Sequence, residues 1–515
     1  MCAEPGHRLD RRTLLRGGAA AAAAVTMSAP MVFEPAAAAR SSEVTTSRTY
    51  QGHFTGVGTP DWHYVPVDVP GGVREIEVSY DYASTSTPAG VTANVIDIGM
   101  FDPSGHDLGN AEGFRGWSGG ARRSFRISRS TATPGYLPGP ITPGRWHVVL
   151  GPFTVVPPGV DWTLTVTLHF GEPGPRFEPT PARRAVAGTG RGWYRGDLHL
   201  HTVHSDGRRT TAEMAEAARG AGLDFLVSTE HNTSSASMYW GRHDGDDLLV
   251  VNGEEVTTRD GHWLAIGLPA GSWIDWRYRS TDGRLPRFLD QVRGLGGLAV
   301  IAHPSVPIPA TGWTQGPLDQ ADAIEVWNGP WTLDDEGTLA RWHTLLVSGT
   351  FVPAVGGSDS HRPEQTVGLP QTVVHADSLS AGALVDALKA GRAWVAESSA
   401  VSLELDVTGP GGTATCGERL AAGPADMLTV RLQAAGVTDC VASLIGPQGP
   451  VATAPADPEG TLTVETTLPA AVLPFVRAEV RRPASSADDV PTDPTSDAVG
   501  TTMVAFTNPV FVDVG

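Results

Sequence analysis

The sequence predicts a multidomain chain of α/β plus all-β class, a parallel-stranded barrel flanked by N- and C-terminal β-sandwich domains. Three observations predict it. At 515 residues the chain exceeds what one hydrophobic core organises and should split into two to four domains. Both ends alternate polar and apolar residues at period two, as at 75–80, 162–168, 401–407 and 428–432, which marks half-buried strands. Between them, short apolar runs alternate with helical stretches, implying βα units and a parallel sheet closed as a barrel.

Residues 1–40 read as a targeting segment. Arg11, Arg12 and Arg16 precede a weakly apolar Ala/Gly stretch reaching about Val32, and Ala37, Ala38 and Ala39 offer a small-residue cleavage site. The paired arginines resemble a twin-arginine signal. The expectation is a twin-arginine-type signal peptide over 1–40, the twin-arginine export machinery as partner, cleavage near Ala39, and a secreted or envelope-associated mature protein. Pro30 interrupts the stretch, and no later segment is apolar enough to span a bilayer.

Residues 46–175 read as an N-terminal β-sandwich, punctuated by turn clusters at Asp102-Pro103-Ser104-Gly105 and Thr142-Pro143-Gly144. Residues 176–192, rich in Pro, Gly and Arg, read as a linker. In residues 193–397, Thr210 and Glu213 form a capping-box pattern for a helix ending near Gly220. Strands are predicted at 223–228, 248–251, 298–301, 323–326 and 351–355, and helices at 338–348 and 379–390. Residues 400–515 read as a C-terminal β domain, with a mobile Pro/Ser/Asp-rich loop at 482–498. Cys416 and Cys440 are the pair expected to close a disulfide in an exported protein.

The formal charge is −19, and −21 without the first 40 residues. That excess argues against steered binding to nucleic acid or anionic membranes, while leaving room for a local cationic pocket. Lys389 is the one lysine, which reads as base-composition bias rather than function.

Five short blocks hold nine candidate metal ligands. They are His199, His201 and Asp206; His231; Glu255 with His262; His303; and Asp359 with His361. A His-x-His on a strand points both imidazoles to one side. Nitrogen and carboxylate donors without thiolate suit Zn, Mn or Fe. The blocks at His231, His303 and Asp359 follow predicted strands, where barrel active sites form. Six of the ten histidines in 193–397 lie in these blocks. Isolated histidines such as His243, His343 and His375 read as core residues.

Together the blocks resemble the PHP (polymerase and histidinol phosphatase) metallohydrolase family over 193–397, about 40% of the chain. The runs 261–267 and 324–328 are similar to its exported, carbaryl-hydrolase-like (CehA/McbA) branch. The resemblance implies a distorted (β/α)7 barrel holding two or three divalent ions. It implies that His199, His201 and Asp359 hold the first, that Glu255 bridges, and that His262 and His303 complete the second. Asp206, His231 and His361 would hold the third. Glu254 is the alternative bridging residue, although the family spacing favours Glu255. Asp197 reads as a residue orienting a histidine from behind.

The chemistry this implies is hydrolysis of a small or mid-sized ester by a metal-activated hydroxide. Arg362 is the candidate anion-binding arginine, ahead of Arg195 and Arg208, and His204 is the candidate proton donor. Phosphate mono- or diesters are the expected substrates. Carboxylic or carbamate esters are the alternative, for which Trp263, Trp327 and Trp331 could supply aromatic walls. In a third reading the barrel is vestigial and Trp62, Trp117, Trp146 and Trp162 form a glycan- or wall-binding platform.

Overall fold

Alternating side chains organise the first third of the chain into two sheets. A computed structural model describes residues 44–56, 58–84, 94–483 and 501–515. The signal-like segment at 1–40 and most of the 482–498 stretch lie outside the described residues. Eight strands come first: β1 (Thr45–Phe54), β2 (His63–Val69), β3 (Val73–Tyr82), β4 (Val95–Phe101), β5 (Phe114–Gly119), β6 (Ser124–Ser128), β7 (Gly144–Thr154) and β8 (Val160–Phe170). They form two four-stranded antiparallel sheets, ordered β1-β8-β3-β6 and β2-β7-β4-β5. Ile76, Val78 and Tyr80 of β3 meet Ile98 of β4 and Trp146 of β7 in one shared core. Tyr80 Oη donates to the Ile96 carbonyl at 2.6 Å and Tyr82 Oη accepts from the Ile96 amide at 3.0 Å, tying the two layers together. Trp117, Trp146 and Trp162 are buried. Trp146 and Trp162 pack in this core, while Trp117 and the partly buried Trp62 pack against the central region, so the four form no exposed sugar platform.

The central region alternates strands and helices. In order these are β9 (Gly192–Asp197), α1 (Thr211–Gly220), β10 (Phe225–Ser228), β11 (Leu249–Thr258), β12 (Gly261–Ile266), α2 (Leu285–Gly294), β13 (Leu298–Ile301), β14 (Ala323–Asn328), α3 (Leu333–Val347), β15 (Ala354–Gly357), β16 (Gln371–Ala376), α4 (Ala381–Lys389) and β17 (Ala393–Ala396). Thr210 and Glu213 make the reciprocal capping box that starts α1, and Met214, Ala215 and Ala218 are its buried face. Strands outnumber helices among the described residues, with 27 strands and four α-helices.

The central strands run β15-β14-β13-β12-β11-β10-β9-β16-β17. β9, β10 and β11 are parallel, as are β13, β14 and β15, but β12 is antiparallel to both of its neighbours. The cause is a tight turn at Arg259 and Asp260 that leads straight from β11 into β12, a hairpin where a βα unit would carry a helix. The chain just past β15 returns to the chain just past β9. The Asp359 amide donates to the His199 carbonyl at 2.7 Å, and the His201 amide to the Ser360 carbonyl at 3.1 Å. Gly357 permits this approach, because a Cβ there would lie 2.6 Å from His199 Cβ.

Hydrogen bonding continues past residue 400. β17 pairs with the strand Thr501–Thr507, aligning Trp394 with Thr507 and Ala396 with Ala505. Strands Ser402–Gly409, Gly412–Ala414, Met427–Ala435 and Thr461–Pro469 form a separate four-stranded sheet. It shares a core with the continued sheet through Leu405, Leu432, Val480 and Trp394. The expected disulfide is absent: Cys416 and Cys440 are free and buried. Both sulfurs sit among the apolar side chains of this core, where a small thiol packs without a covalent tie.

The N-terminal sheets lie directly against the central region. Phe114 of β5 stacks on Trp273 at 4.2 Å. Arg277 donates to Tyr64 Oη at 2.6 Å, and Asp275 accepts the Gly109 amide at 2.7 Å.

Candidate metal centre

All nine sequence-predicted ligands converge from beyond the ends of β9, β10, β13 and β15 and from within β11 and β12. Their donor atoms fall into four overlapping clusters, each spanning at most 4.8 Å: His201, Asp206, His231 and His361; His199, His303 and Asp359; His199, His201 and Glu255; and Glu255, His262 and His303. Glu255 lies at the middle. Its Oε2 is 3.3 Å from both His199 Nε2 and His201 Nε2, and its Oε1 is 2.9 Å from His262 Nδ1 and 3.2 Å from His303 Nε2. Asp359 Oδ1 lies 3.0 Å from His201 Nε2 and 3.4 Å from His199 Nε2. Asp206 Oδ1 lies 3.3 Å from His361 Nε2 and 3.5 Å from His231 Nε2. The Glu254 carboxylate faces elsewhere and accepts the Ile274 amide at 3.0 Å. Burial holds its carboxyl well above the usual range, so Glu255 is the central carboxylate.

The donor set fits divalent ions. Six buried atoms here, His199 Nε2, His201 Nε2, Glu255 Oε2, His262 Nε2, His303 Nδ1 and Asp359 Oδ1, lack a hydrogen-bond partner among the described residues. Buried polar atoms are almost always paired. A concentration of unpaired nitrogen and oxygen donors is the arrangement a bound cation satisfies. Hydrogen bonds from behind fix the rings. His199 Nδ1 meets Glu325 at 3.0 Å, His231 Nδ1 meets Thr257 Oγ1 at 2.6 Å, and His361 Nδ1 meets the Asp359 carbonyl at 2.8 Å. Each interaction leaves the Nε2 lone pair turned to the cluster.

Charge coupling is strong. Burial alone would lower His199 and His231, but Asp359, Glu325 and Glu255 raise the first well above its ordinary value, and Glu255 and Asp206 raise the second to about 10. His361, opposed by burial but favoured by Asp206 and Asp359, rises to about 9. Against burial, the surrounding imidazoles hold Glu255 and Asp359 well below the carboxylate range. His262 is the exception: burial outweighs Glu255 and lowers it to about 4.

The backbone is strained at two of these residues. His303 has φ of 27° and Asp359 of 48°, conformations that cost roughly 1–3 kcal/mol for a non-glycine residue and gather at functional sites.

Other sequence-predicted roles fall differently. Asp197 does not touch an imidazole. Its carboxylate accepts the amides of His199, Ser358 and Gly368 at 3.2, 2.9 and 2.8 Å, locking the two chain segments that carry ligands. Glu325 is the carboxylate behind His199, and it also accepts the His303 amide at 3.0 Å and Asn328 Nδ2 at 3.1 Å. Sequence reasoning assigned Glu325 no role, although a glutamate inside an apolar strand is a signal, since a buried charge needs partners. Glu230, likewise unassigned, accepts from the Thr202 amide at 3.1 Å and from Ser205 Oγ at 2.6 Å, holding the loop that presents Asp206.

His204 belongs to none of the four clusters. Its Nδ1 meets Ser235 Oγ at 2.9 Å, and burial lowers it to about 4. It is a packed loop residue because the N-terminal region covers this loop: Arg122 donates to the Val203 carbonyl and Gly135 to Ser235 Oγ. Arg362 is exposed and lines neither cavity beside the cluster. Arg195 is occupied by Gln371 and the Val401 carbonyl, and Arg208 is exposed. Trp263, Trp327 and Trp331 line neither cavity beside the cluster.

Two cavities open beside the cluster. One, of about 410 Å³, has Asp206, His231 and His262 at its base, with Asp97, Trp117, Phe153, Arg259 and Trp276 around them. The other, of about 630 Å³, includes Asn328, Asp359 and His361 and reaches the start of α3. Arg259, not Arg362, is the arginine beside the cluster. Burial lifts the neighbouring Asp97 carboxyl to about 6, despite Arg259.

Residues 350–393 match the PHP-associated family model, a segment that contains Asp359 and His361 within the nine-residue donor set. That match and the donor set together support a PHP-type metallohydrolase domain. Among solved structures, the chain is similar to a two-domain protein from Bacteroides vulgatus described as containing a predicted PHP-like metal-dependent phosphoesterase, at 18% identity and a TM-score of 0.34 over 60% of this chain and 95% of that one. It is also similar to an amidohydrolase from Chromobacterium violaceum with bound sulfate, at 19% identity and a TM-score of 0.25 over 34% of this chain and 89% of that one. No curated protein sequence matches. Likenesses at these TM-scores carry nothing about the reaction, and the assignment of the PHP domain rests on its own donor set and the family match.

Proposed function

We propose that the protein is an exported metal-dependent phosphoesterase that hydrolyses phosphate mono- or diesters. The observation that carries this is the convergence of nine nitrogen and carboxylate donors, six contributing a buried unpartnered atom, beside an arginine. The seven strands β9 to β15 are read as the distorted barrel, with the β1–β8 sheets and the sheets after residue 400 as flanking sandwiches. His199, His201, Glu255 and Asp359 would hold one ion, Glu255, His262 and His303 a second, and Asp206, His231 and His361, with His201 adjacent, a third. When bound, such ions lower the pKa of water and draw charge from a substrate oxygen. The chain's own residues position and shield the site. Glu325 and Thr257 hold ring orientation, Asp197 locks the ligand-bearing loops, and Arg259 supplies a cation where phosphate charge develops.

The aromatic residues around the smaller cavity support a second reading, a carboxylic or carbamate esterase of the carbaryl-hydrolase-like branch using the same donors. Hydrolysis of chromogenic phosphomonoester, phosphodiester and carboxylic ester probes by metal-quantified protein, beside His199→Ala and Asp359→Ala, tests both readings. Turnover of a phosphate probe that both variants lose supports the first. Turnover confined to the carboxylic ester replaces it with the second.

A further inference from the structure

The N-terminal sheets supply part of the wall above the PHP domain's donor cluster. Trp117 lies on β5 and Phe153 on β7, and both line the 410 Å³ cavity whose base is Asp206, His231 and His262. Trp276 faces them from the central region, its ring centroid 4.5 Å from that of Trp117. Arg259, in the turn between Glu255 and His262, lies over the Phe153 ring at 4.5 Å. Its Nη2 is 3.7 Å from Asp97 Oδ2, and its buried Nη1 has no hydrogen-bond partner among the described residues. The cavity therefore joins three elements: a base of cation-binding donors, flat aromatic surfaces, and a guanidinium with a donor to spare. Aromatic faces favour a flat ring over an alkyl chain of equal area, because offset and edge contacts add to burial. A planar guanidinium forks onto phosphate oxygens.

Resting on the phosphoesterase reading, we propose that this cavity is the subsite for an aryl group carried on the phosphate, packed by Trp117, Phe153 and Trp276, with the Arg259 guanidinium donating to a phosphoryl oxygen. Specificity for the organic part of the substrate then resides partly in the N-terminal sheets, outside the metal-binding region. Each part has its own signature. Aromatic-wall substitutions narrow the gap between aryl and alkyl ligands, whereas Arg259 substitutions affect every phosphoryl ligand.

The test is calorimetric titration of the metal-loaded full-length protein with phenylphosphonate and with methylphosphonate, beside Phe153→Ala, Trp117→Leu and Arg259→Lys. Phe153 is 38% exposed, so its removal leaves the core intact even if the buried Trp117 variant folds poorly. The expected result is a dissociation constant about tenfold or more tighter for the phenyl compound in the unaltered protein, from the added apolar contact. That preference should collapse in at least one wall variant, and both ligands should weaken together in Arg259→Lys. Equal binding of the two ligands, binding of neither, or a preference intact in both wall variants would overturn the proposal. Neither compound has a hydrolysable ester bond. A phenyl preference that Phe153→Ala abolishes, in protein that turns over no phosphate ester, would leave the subsite standing and remove the phosphoesterase reading.

Discussion

Glu325→Gln keeps the side chain's size and removes its charge. The Glu325 carboxylate is buried and receives three donors: His199 Nδ1 at 3.0 Å, the His303 amide at 3.0 Å and Asn328 Nδ2 at 3.1 Å. A carboxylate can only accept, so all three are satisfied. An amide has one accepting oxygen and one donating nitrogen. Turning the nitrogen toward His199 forces that ring to carry its proton on Nε2, the atom that faces the cluster. Turning it toward His303 sets two donors against each other beside a second candidate ligand. Either way one charge-assisted bond is lost, about 1.5–3 kcal/mol. A metal on Nε2 requires the ring's one proton to stay on Nδ1, so the loss bears on the metal-bound state. At about 1.4 kcal/mol per decade, metal affinity should drop roughly 10- to 100-fold. The assay is chelator competition for Zn and Mn, with thermal unfolding of both metal-free proteins as the folding control. Affinity within about twofold of the unaltered protein, with the fold intact, would refute the reasoning that Glu325 orients His199 for metal.

Four further outcomes are expected. In the metal-free protein His231 and His361 titrate near 10 and 9, both above the ordinary 6.5, so their ion pairs stabilise the fold fully below about pH 6.5 and are lost as pH rises through 9 to 10. Metal loading at pH 7 should therefore release protons, read from calorimetry in buffers of different ionisation enthalpy, and no release would contradict the assignment. Asn508→Ala should destabilise the protein by about 1–3 kcal/mol, measured by denaturant unfolding, because Asn508 bonds the Ala354 amide and carbonyl at 2.8 Å each and the Ala393 carbonyl at 3.0 Å, all buried. Cys416 and Cys440 should both react with a thiol reagent after unfolding without reductant, and two unreactive sulfurs would restore the disulfide. Changing Arg11 and Arg12 together to Lys should hold the precursor inside the cell, and unaffected secretion would end the twin-arginine proposal.

The donor set was legible because its chemistry is local: residue type, strand position and spacing each point to a cluster before any coordinates exist. Much of the strand and helix pattern was legible for the same reason, down to the capping box at Thr210 and Glu213. Features arising from distant pairing were not legible. β12 followed β11 through Arg259-Asp260-Gly261, and the Asp-Gly pair is a hairpin signal, but the apolar run after it reads equally as a block beside a ligand. His204 and Arg362 were chosen for closeness in sequence to ligands. Their side chains left the cluster because the loop carrying His204 is pinned by Arg122 and Ser235 and because Arg362 lies on an exposed turn. Arg259 had no such local mark, since its place depends on Phe153 and Asp97, more than 100 residues earlier.

Order in the candidate metal centre is built by the polypeptide rather than left to the ions. Two ligand-bearing residues, His303 and Asp359, hold left-handed backbone conformations, and such strain persists only where surrounding contacts over-determine it. Those contacts are present. Glu325 takes the His303 amide, the His199 carbonyl takes the Asp359 amide, and Asp197 takes the His199 amide. Each fixes a ligand's main chain, where a metal ion could fix only its side chain. The arrangement gathers imidazoles and carboxylates closely enough to share cations, at the expense of six buried atoms without a hydrogen-bond partner among the described residues. A fold selected for stability alone would have paired or removed them. They lie beside a cavity lined in part by Trp117 and Phe153 of the N-terminal sheets, so on the proposed reading the strained loops, the donor cluster and those sheets share one role, positioning a substrate against metal.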